Sequence, residues 1–215
     1  MPDVVLIRPG CTDYDEQDRI QGTLDLPLNL HGQAQVREVC ERLRHVPIEV
    51  IYAAPGEPAR SMAEALGAEL DVPVRECAGL RNLDQGLWQG LQVDEVRRKY
   101  PRVFKQWQES PETICLPEGE LVADALARIR KCLQKPLKRK DPFAVVASEP
   151  LATLAGCVIR GGGVDHPAPV CGGSKAPLVE FIYANGTPPA GETPEMAATA
   201  ATSGERSIGS EGPST

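Results

Sequence analysis

The sequence has little positive charge, few histidines and no long apolar run, and each shortage excludes a class of function. Lys and Arg total 23 against 30 Asp and Glu, which gives a formal net charge of -7. Broad binding to nucleic acid or to an anionic membrane needs a basic field, so we expect neither, although a local basic pocket is compatible with this balance. No apolar run reaches the roughly 18 residues of a membrane span. Since no charged and then apolar leader opens the chain, we expect a cytoplasmic protein.

The cysteines and histidines do not form a recognisable metal site. The chain has seven cysteines and three histidines, but it contains no Cys-x-x-Cys pair and no histidine at zinc-ligand spacing. We therefore predict no metal and no cofactor. All seven cysteines are interpreted as reduced thiols.

Apolar patterning predicts strands that alternate with helices. Short runs rich in β-branched residues predict strands at 4–7, 49–54 and 142–148, with a closing strand in "APLVEFIYANG". Helical spacing occurs in "GQAQVREVCERLRHV", in residues 58–70, in "GELVADALARIRKCLQKPL" and in "PLATLAGCVI". In the third of these we place one buried face on Leu121, Val122, Ala125, Leu126, Ile129 and Leu133. The alternation predicts an α/β fold with a mostly parallel central sheet.

Two strand ends and one tail stand out in this pattern. Ligands of parallel sheets bind at the carboxyl ends of the strands, so "IRPG" and "VVAS" are expected to face one another across a pocket.

The polar, helical region 91–109 predicts a small cap. Residues 186–215 have almost no large apolar side chains and are expected to be a disordered tail, which leaves residues 1–185 as the folded domain.

The segment after the first strand carries a long motif. It reads Arg-x-Gly-x-Thr, Arg-x-Gln-Gly, Asp-x-Pro-Leu and Gly-x-x-Gln without a gap, at Arg8, Gly10, Thr12, Arg19, Gln21, Gly22, Asp25, Pro27, Leu28, Gly32 and Gln35. Further matching segments are "YAAPGEPARSMAEALG", "LRNLDQGLWQGL", "LPEGE" and "FAVVASEPLATLAG". Together they resemble the phosphoglycerate mutase-like branch of the histidine phosphatase superfamily, over roughly residues 3 to 184.

This resemblance implies a three-layer α/β/α domain with a small helical cap, and it also implies a catalytic set that is degenerate here. In the family a histidine accepts the phosphoryl group, two arginines and a second histidine neutralise the phosphate oxygens, and a carboxylic acid protonates the leaving oxygen. The nucleophile position holds Pro9, which has no nucleophilic atom and no backbone N–H. The same register places Pro58 at the second arginine, Asn82 at the acid and Ser148 at the second histidine.

The resemblance also shows altered charges around the expected phosphate. Glu149 stands where glycine would follow the second histidine, Asp15 replaces an asparagine, and Thr153 replaces an arginine. Both carboxylates would repel a phosphate dianion. Of the groups expected to act on phosphate, Arg8 alone is retained. No catalytic residue is therefore expected.

Arg8, Gln21 and Gly22 are the candidate anion-binding residues. Arg8 follows a strand end within a glycine-containing loop, a favourable place for holding an anion. The alternative is that its guanidinium pairs with a nearby carboxylate, for which Asp15 and Glu149 are the candidates.

Other reactive or basic side chains have an ordinary structural interpretation. Arg60 lies two positions beyond the lost arginine and could reach the pocket, although a solvated helix face is its simpler role. His31 and His45 lie at the two ends of a predicted helix, and His166 lies in the loop "GGGVDHPAP". A thiolate at Cys11 could have a lowered pKa beside the motif arginine, but free cysteine is commonly a small buried apolar residue.

We therefore predict a catalytically inactive histidine phosphatase-like protein with a binding or regulatory role. Its partner would be a small anion or another protein, with no nucleic acid and no membrane. The alternative is a phosphoesterase with residual activity through a non-histidine nucleophile, Cys11 or Ser148. A third interpretation is a partly decayed paralogue with no role beyond stability.

Overall fold

The central sheet has five strands in the computed structural model, which describes residues 3–110, 113–139, 141–161 and 176–183. The strands are β1 (Val4–Ile7), β2 (Val50–Ala53), β3 (Val74–Glu76), β4 (Phe143–Val146) and β5 (Val179–Ile182). Their spatial order is β3-β2-β4-β1-β5. Strands β3, β2, β4 and β1 run parallel, whereas β5 pairs antiparallel with β1 and closes one edge. The predicted α/β fold with a mostly parallel sheet is confirmed.

Strands β1 and β4 form the centre of the core. All four residues of each are buried, since the strands lie between neighbours and both of their faces are covered. A side chain that is buried whichever way it points must be apolar, which explains the uninterrupted runs "VVLI" and "FAVV".

The described residues form seven helices. They are α1 (Asp13–Glu16), α2 (Leu30–Leu43), α3 (Ala59–Leu70), α4 (Val93–Lys99), α5 (Pro101–Glu109), α6 (Val122–Arg139) and α7 (Leu151–Ile159). Two single 3-10 turns, Ala78–Leu80 and Gly86–Trp88, lie in the connection between β3 and α4. Helix α2 begins where the side chain of Asn29 accepts a hydrogen bond from the backbone N–H of Gly32, at 2.8 Å.

Helices α3 and α6 lie on opposite faces of the sheet. Gly67 of α3 packs so tightly on Val74 that an added Cβ would lie 2.5 Å from the Cγ2 atom of that valine. The next residue of the strand, Arg75, points to the other face and lines a cavity there with Pro136 of α6. Helix α2 packs on α3 and helix α7 packs on α6, which gives the three-layer α/β/α arrangement.

The predicted cap is formed by α4 and α5. Helix α4 stops at Tyr100, because Pro101 can begin a helix but cannot continue one. The indole of Trp88 packs on α5, with ring centroids 6.3 Å from Phe104 and 6.4 Å from Trp107. No helix in the described ranges combines the length and apolarity needed to cross a membrane.

Two predictions from the sequence are wrong. Leu121 was expected on the buried face of α6 but is 42% exposed, because the helix begins only at Val122. The cysteines are not all reduced thiols, since Cys77 and Cys132 form a disulfide with their Cα atoms 6.8 Å apart. His166 and residues 186–215 lie outside the described residues, so the expectations for that loop and for the tail remain predictions.

Candidate functional site

The predicted pocket lies where β1 and β4 end. Ile7 and Val146 are paired in register, so Arg8 and Ser148 follow the two strands at the same edge of the sheet. Both residues are buried. Asn82 reaches this edge from the connection after β3, and Gly22 reaches it from the loop before α2.

The guanidinium of Arg8 is engaged by protein groups. Its Nε donates to Oε1 of Glu149 at 2.5 Å, and its Nη1 donates to the carbonyl of Pro177 at 3.1 Å and to Oε2 of Glu180 at 3.3 Å. Arg8 is only 7% exposed, so a lone positive charge there would be costly and the two carboxylates compensate it. Of the two alternatives left open by the sequence, the structure shows pairing with Glu149.

The carboxylate of Glu149 lies where the surrounding groups stabilise a negative charge. Besides Arg8, it accepts hydrogen bonds from the Thr153 hydroxyl at 2.8 and 3.0 Å and from the Thr153 backbone N–H at 3.2 Å. That N–H belongs to the first turn of α7, where the helix dipole favours negative charge. An internal carboxylate thus occupies the junction between an arginine and a helix N-terminus.

Asn82 connects three loops through its amide. Its Nδ2 donates to the carbonyls of Gly22 at 2.8 Å and Glu149 at 2.9 Å, and its Oδ1 accepts from the backbone N–H groups of Leu83 at 2.9 Å and Leu151 at 3.3 Å. The residue is 8% exposed. A neutral amide with all these groups satisfied has no proton to give to a leaving group, so its role is to hold the loops together.

The rest of the expected anion pocket is narrow. The amide of Gln21 donates to the carbonyls of Leu24 and Glu57, each at 3.3 Å. One cavity among the described residues is lined by Gln21, Gly22, Asn82 and Ser148, though not by Arg8, and holds about 20 Å³. That is room for about one water molecule. Pro58 lies at the start of α3 and offers no charged group.

Asp15 caps a short helix instead of pairing with Arg8, and the thiol of Cys11 has a raised pKa. The carboxylate of Asp15 accepts hydrogen bonds from the backbone N–H and the hydroxyl of Thr12, both at 2.7 Å, so it caps the short helix α1. Burial raises the pKa of the Cys11 thiol, and the negative charge of Asp15 raises it further, while a hydrogen bond to Gln35 lowers it. The raised pKa speaks against the alternative of an activated thiolate at Cys11 and agrees with the interpretation of a structural cysteine.

The other candidates remain at the surface. Arg60 is exposed on α3, and its one ion-pair partner in the described part of the chain is Glu76, at 3.8 Å, as expected for a solvated helix face. His31 and His45 are exposed. Within the described ranges, no three side chains of His, Cys, Asp or Glu are grouped so that they could hold a metal ion.

Sequence reasoning missed Glu180 and Arg160. Glu180 lies on β5 opposite Leu6, and from there it contacts both Arg8 and Arg160. The alternation of strands and helices does not indicate that β5 returns antiparallel beside β1. No pattern in the sequence therefore brings Glu180 to the pocket.

Comparison with known proteins gives a consistent result. The family model for the histidine phosphatase superfamily, branch 1, matches residues 4–172. Phosphoserine phosphatase 1 of Hydrogenobacter thermophilus is 28% identical over 139 residues, which cover 65% of this chain and 66% of that protein. The uncharacterized phosphatase PhoE of Bacillus subtilis is 33% identical over 101 residues, or 47% and 52% of the two chains. The chain thus spans about half to two thirds of these relatives.

Solved structures show the same architecture. A mycobacterial glucosyl-3-phosphoglycerate phosphatase in complex with VO3 superposes with a TM-score of 0.70 at 26% identity, covering 75% of this chain and 81% of that one. Bacillus stearothermophilus YhfR superposes with a TM-score of 0.68 at 21% identity, covering 86% and 97%, and this second likeness concerns the fold alone.

Proposed function

Because the chain belongs to branch 1 of the histidine phosphatase superfamily, we propose that it is a member without phosphoryl-transfer activity that acts by binding a partner. The proposal rests first on the residues that stand at the catalytic positions of the family motif. Pro9 stands at the nucleophile, Pro58 at the second arginine, Asn82 at the acid and Ser148 at the second histidine. Several relatives are named as phosphatases or mutases, so the proposed loss departs from the activity named for those proteins.

The observation that carries the proposal is the ion pair between Arg8 and Glu149. The one retained phosphate-binding arginine already holds a carboxylate, at 2.5 Å. A phosphate entering the same site would meet that carboxylate, and two unit charges 4 Å apart repel by about 4 kcal/mol at an effective dielectric constant near 20. The internal carboxylate therefore takes the place of the ligand.

The same contacts favour a protein partner over a small anion. Of the candidate anion-binding residues Arg8, Gln21 and Gly22, the side chains of Arg8 and Gln21 already donate hydrogen bonds within the protein. The cavity beside Gln21 and Gly22 holds only about 20 Å³, and we propose that the chain binds another protein through its surface, in the cytoplasm. Its acidic balance argues against nucleic acid.

Residual activity through another nucleophile has less support. Cys11 has a thiol whose pKa is raised, which reduces its thiolate fraction at neutral pH. Glu149 is the nearest base in sequence to Ser148, but its carboxylate is bound by Arg8 and Thr153.

Restoring the chemistry tests the proposal. A variant carrying Pro9→His, Pro58→Arg, Asn82→Glu, Ser148→His and Glu149→Gly should hydrolyse p-nitrophenyl phosphate, while the wild type should not. The matched control carries the first four changes and keeps Glu149, and it should be at least about tenfold slower because the carboxylate still occupies Arg8. Each variant is first checked for a cooperative thermal transition. Equal rates in the two variants would contradict the role given to Glu149.

A further inference from the structure

A second cavity lies at the opposite edge of the sheet from Arg8. It holds about 120 Å³ and lies where β2, β3 and β4 begin. Its floor is formed by the rings of Tyr52 and Phe143, which meet edge to face with centroids 5.6 Å apart. Pro136 of α6 forms a side wall. The cavity is too far along the strands to belong to the pocket of Arg8.

The rim of this cavity carries two guanidinium groups and two carboxylates. Arg75 comes from the edge strand β3, Arg139 ends α6, and Glu49 and Asp141 immediately precede β2 and the approach to β4. Within the described ranges, none of the four forms an ion pair with another of them or with any other residue. Some exposed cations elsewhere have partners, namely Arg44 with Glu69, Lys99 with Glu95 and Arg97 with Asp94, so charges on this surface pair where a partner is in reach.

Arg139 also ends a row of like charges on α6. Lys131, Lys135 and Arg139 follow one another at four-residue spacing, so neighbouring cations repel along the helix. The helix dipole favours cations in the last turn, which accounts for Arg139 but not for Lys131 or for Arg75 on its strand. Of these three cations Arg139 lines the cavity, and an anionic group bound beside it would offset its repulsion by Lys135.

We propose that this cavity binds a small zwitterion, an amine that also carries a phosphate or carboxylate group. Its anionic group would lie between Arg75 and Arg139, where guanidinium N–H groups can form charge-assisted hydrogen bonds. Its ammonium group would face Glu49 and Asp141 over the ring of Tyr52, which attracts a cation electrostatically. A ligand with charge of one sign would pair either with the two arginines or with the two acidic residues, but not with both.

Calorimetric titration of the wild-type protein with three probes tests this site. Phosphoethanolamine carries both charges, ethanolamine carries only the amine, and methyl phosphate carries only the anion. Phosphoethanolamine should bind with one-to-one stoichiometry and a Kd at least about tenfold lower than that of either half. The NMR signals of the Tyr52 ring should shift on binding. No binding of phosphoethanolamine, or equal binding of the three probes, would overturn the proposal.

Double variants distinguish a specific binding site from a general effect of surface charge. Arg75→Gln with Arg139→Gln should raise the Kd for phosphoethanolamine at least about tenfold, and Glu49→Gln with Asp141→Asn should do the same. The control removes two other exposed arginines, Arg37→Gln with Arg98→Gln, and should leave the Kd unchanged. Equal weakening in the control would refute a specific site. Since none of these residues contacts Arg8, the result does not depend on the proposed function.

Discussion

Replacing Glu149 by alanine is the most informative perturbation of the pocket at the end of β1 and β4. The change removes the closest partner of the Arg8 guanidinium, at 2.5 Å, and the acceptor for Thr153 at the start of α7. The Arg8 side chain is only 8% exposed, so water does not readily replace the lost carboxylate. Glu180 remains 3.3 Å from the guanidinium and retains part of the compensation.

These contacts set the expected loss of stability. Removing one partner of a fully buried ion pair costs about 3–5 kcal/mol, and the remaining contact to Glu180 reduces the cost here to about 2 kcal/mol. A domain of this size loses about 2–4 °C in Tm for each kcal/mol, so we predict a fall of about 4–8 °C. The control Glu41→Ala removes a largely exposed partner of Arg44 and should cost less than about 0.5 kcal/mol.

Phosphate should partly rescue this variant. The vacated position still presents Arg8 and the first turn of α7, so phosphate at about ten times its Kd would add about 1.4 kcal/mol of stability. Thermal melts with and without phosphate measure both effects at constant ionic strength. The reasoning is refuted if Glu149→Ala loses no more than Glu41→Ala, or if phosphate stabilises the wild type as much as the variant.

Three further predictions concern the surroundings of the pocket. Because its pKa is raised, Cys11 should react with iodoacetamide at pH 8 more slowly than a cysteine in an unstructured peptide. Asn82→Ala leaves two backbone carbonyls without their donor, and urea titration should show a loss of about 2–3 kcal/mol in the free energy of unfolding. Cys132→Ser opens the disulfide to Cys77 and should cost about 2–4 kcal/mol in the same assay.

Each of these predictions has a clear contrary result. Alkylation of Cys11 faster than that of the peptide would indicate an activated thiolate. A change below about 0.5 kcal/mol in Asn82→Ala would mean that the amide does not hold the loops. Peptide mapping without reductant should recover Cys77 linked to Cys132, and alkylated forms of both would contradict the disulfide.

The sequence predicts the part of the pocket that depends on the two buried central strands. Strands β1 and β4 are buried on both faces, so their sequences are uninterrupted apolar runs, and their carboxyl ends were expected to meet. Where these two strand ends meet, Glu149 lies beside Arg8, and this is one of the two ion pairs that the sequence suggests for Arg8. Asp15 was the other, but it lies three residues from Thr12, and the local cap at 2.7 Å satisfies its carboxylate.

Contacts between distant segments could not be read from the sequence. Glu180 reaches Arg8 because β5 returns antiparallel, and a short apolar run does not specify its direction. Cys77 and Cys132 are separated by 55 residues, so their pairing depends on α6 packing beside the turn after β3. Leu121 has the helical spacing of its neighbours, but the helix begins one residue later and leaves its side chain exposed.

Turnover of p-nitrophenyl phosphate by the wild-type protein tests the central claim most directly. The measurement uses protein repurified over two different columns, assayed from acid to alkaline pH beside the variants Cys11→Ala and Ser148→Ala. The account predicts no turnover above that of buffer at any pH. Turnover that persists through repurification and disappears in either variant would show that the chain is a phosphatase with a new nucleophile.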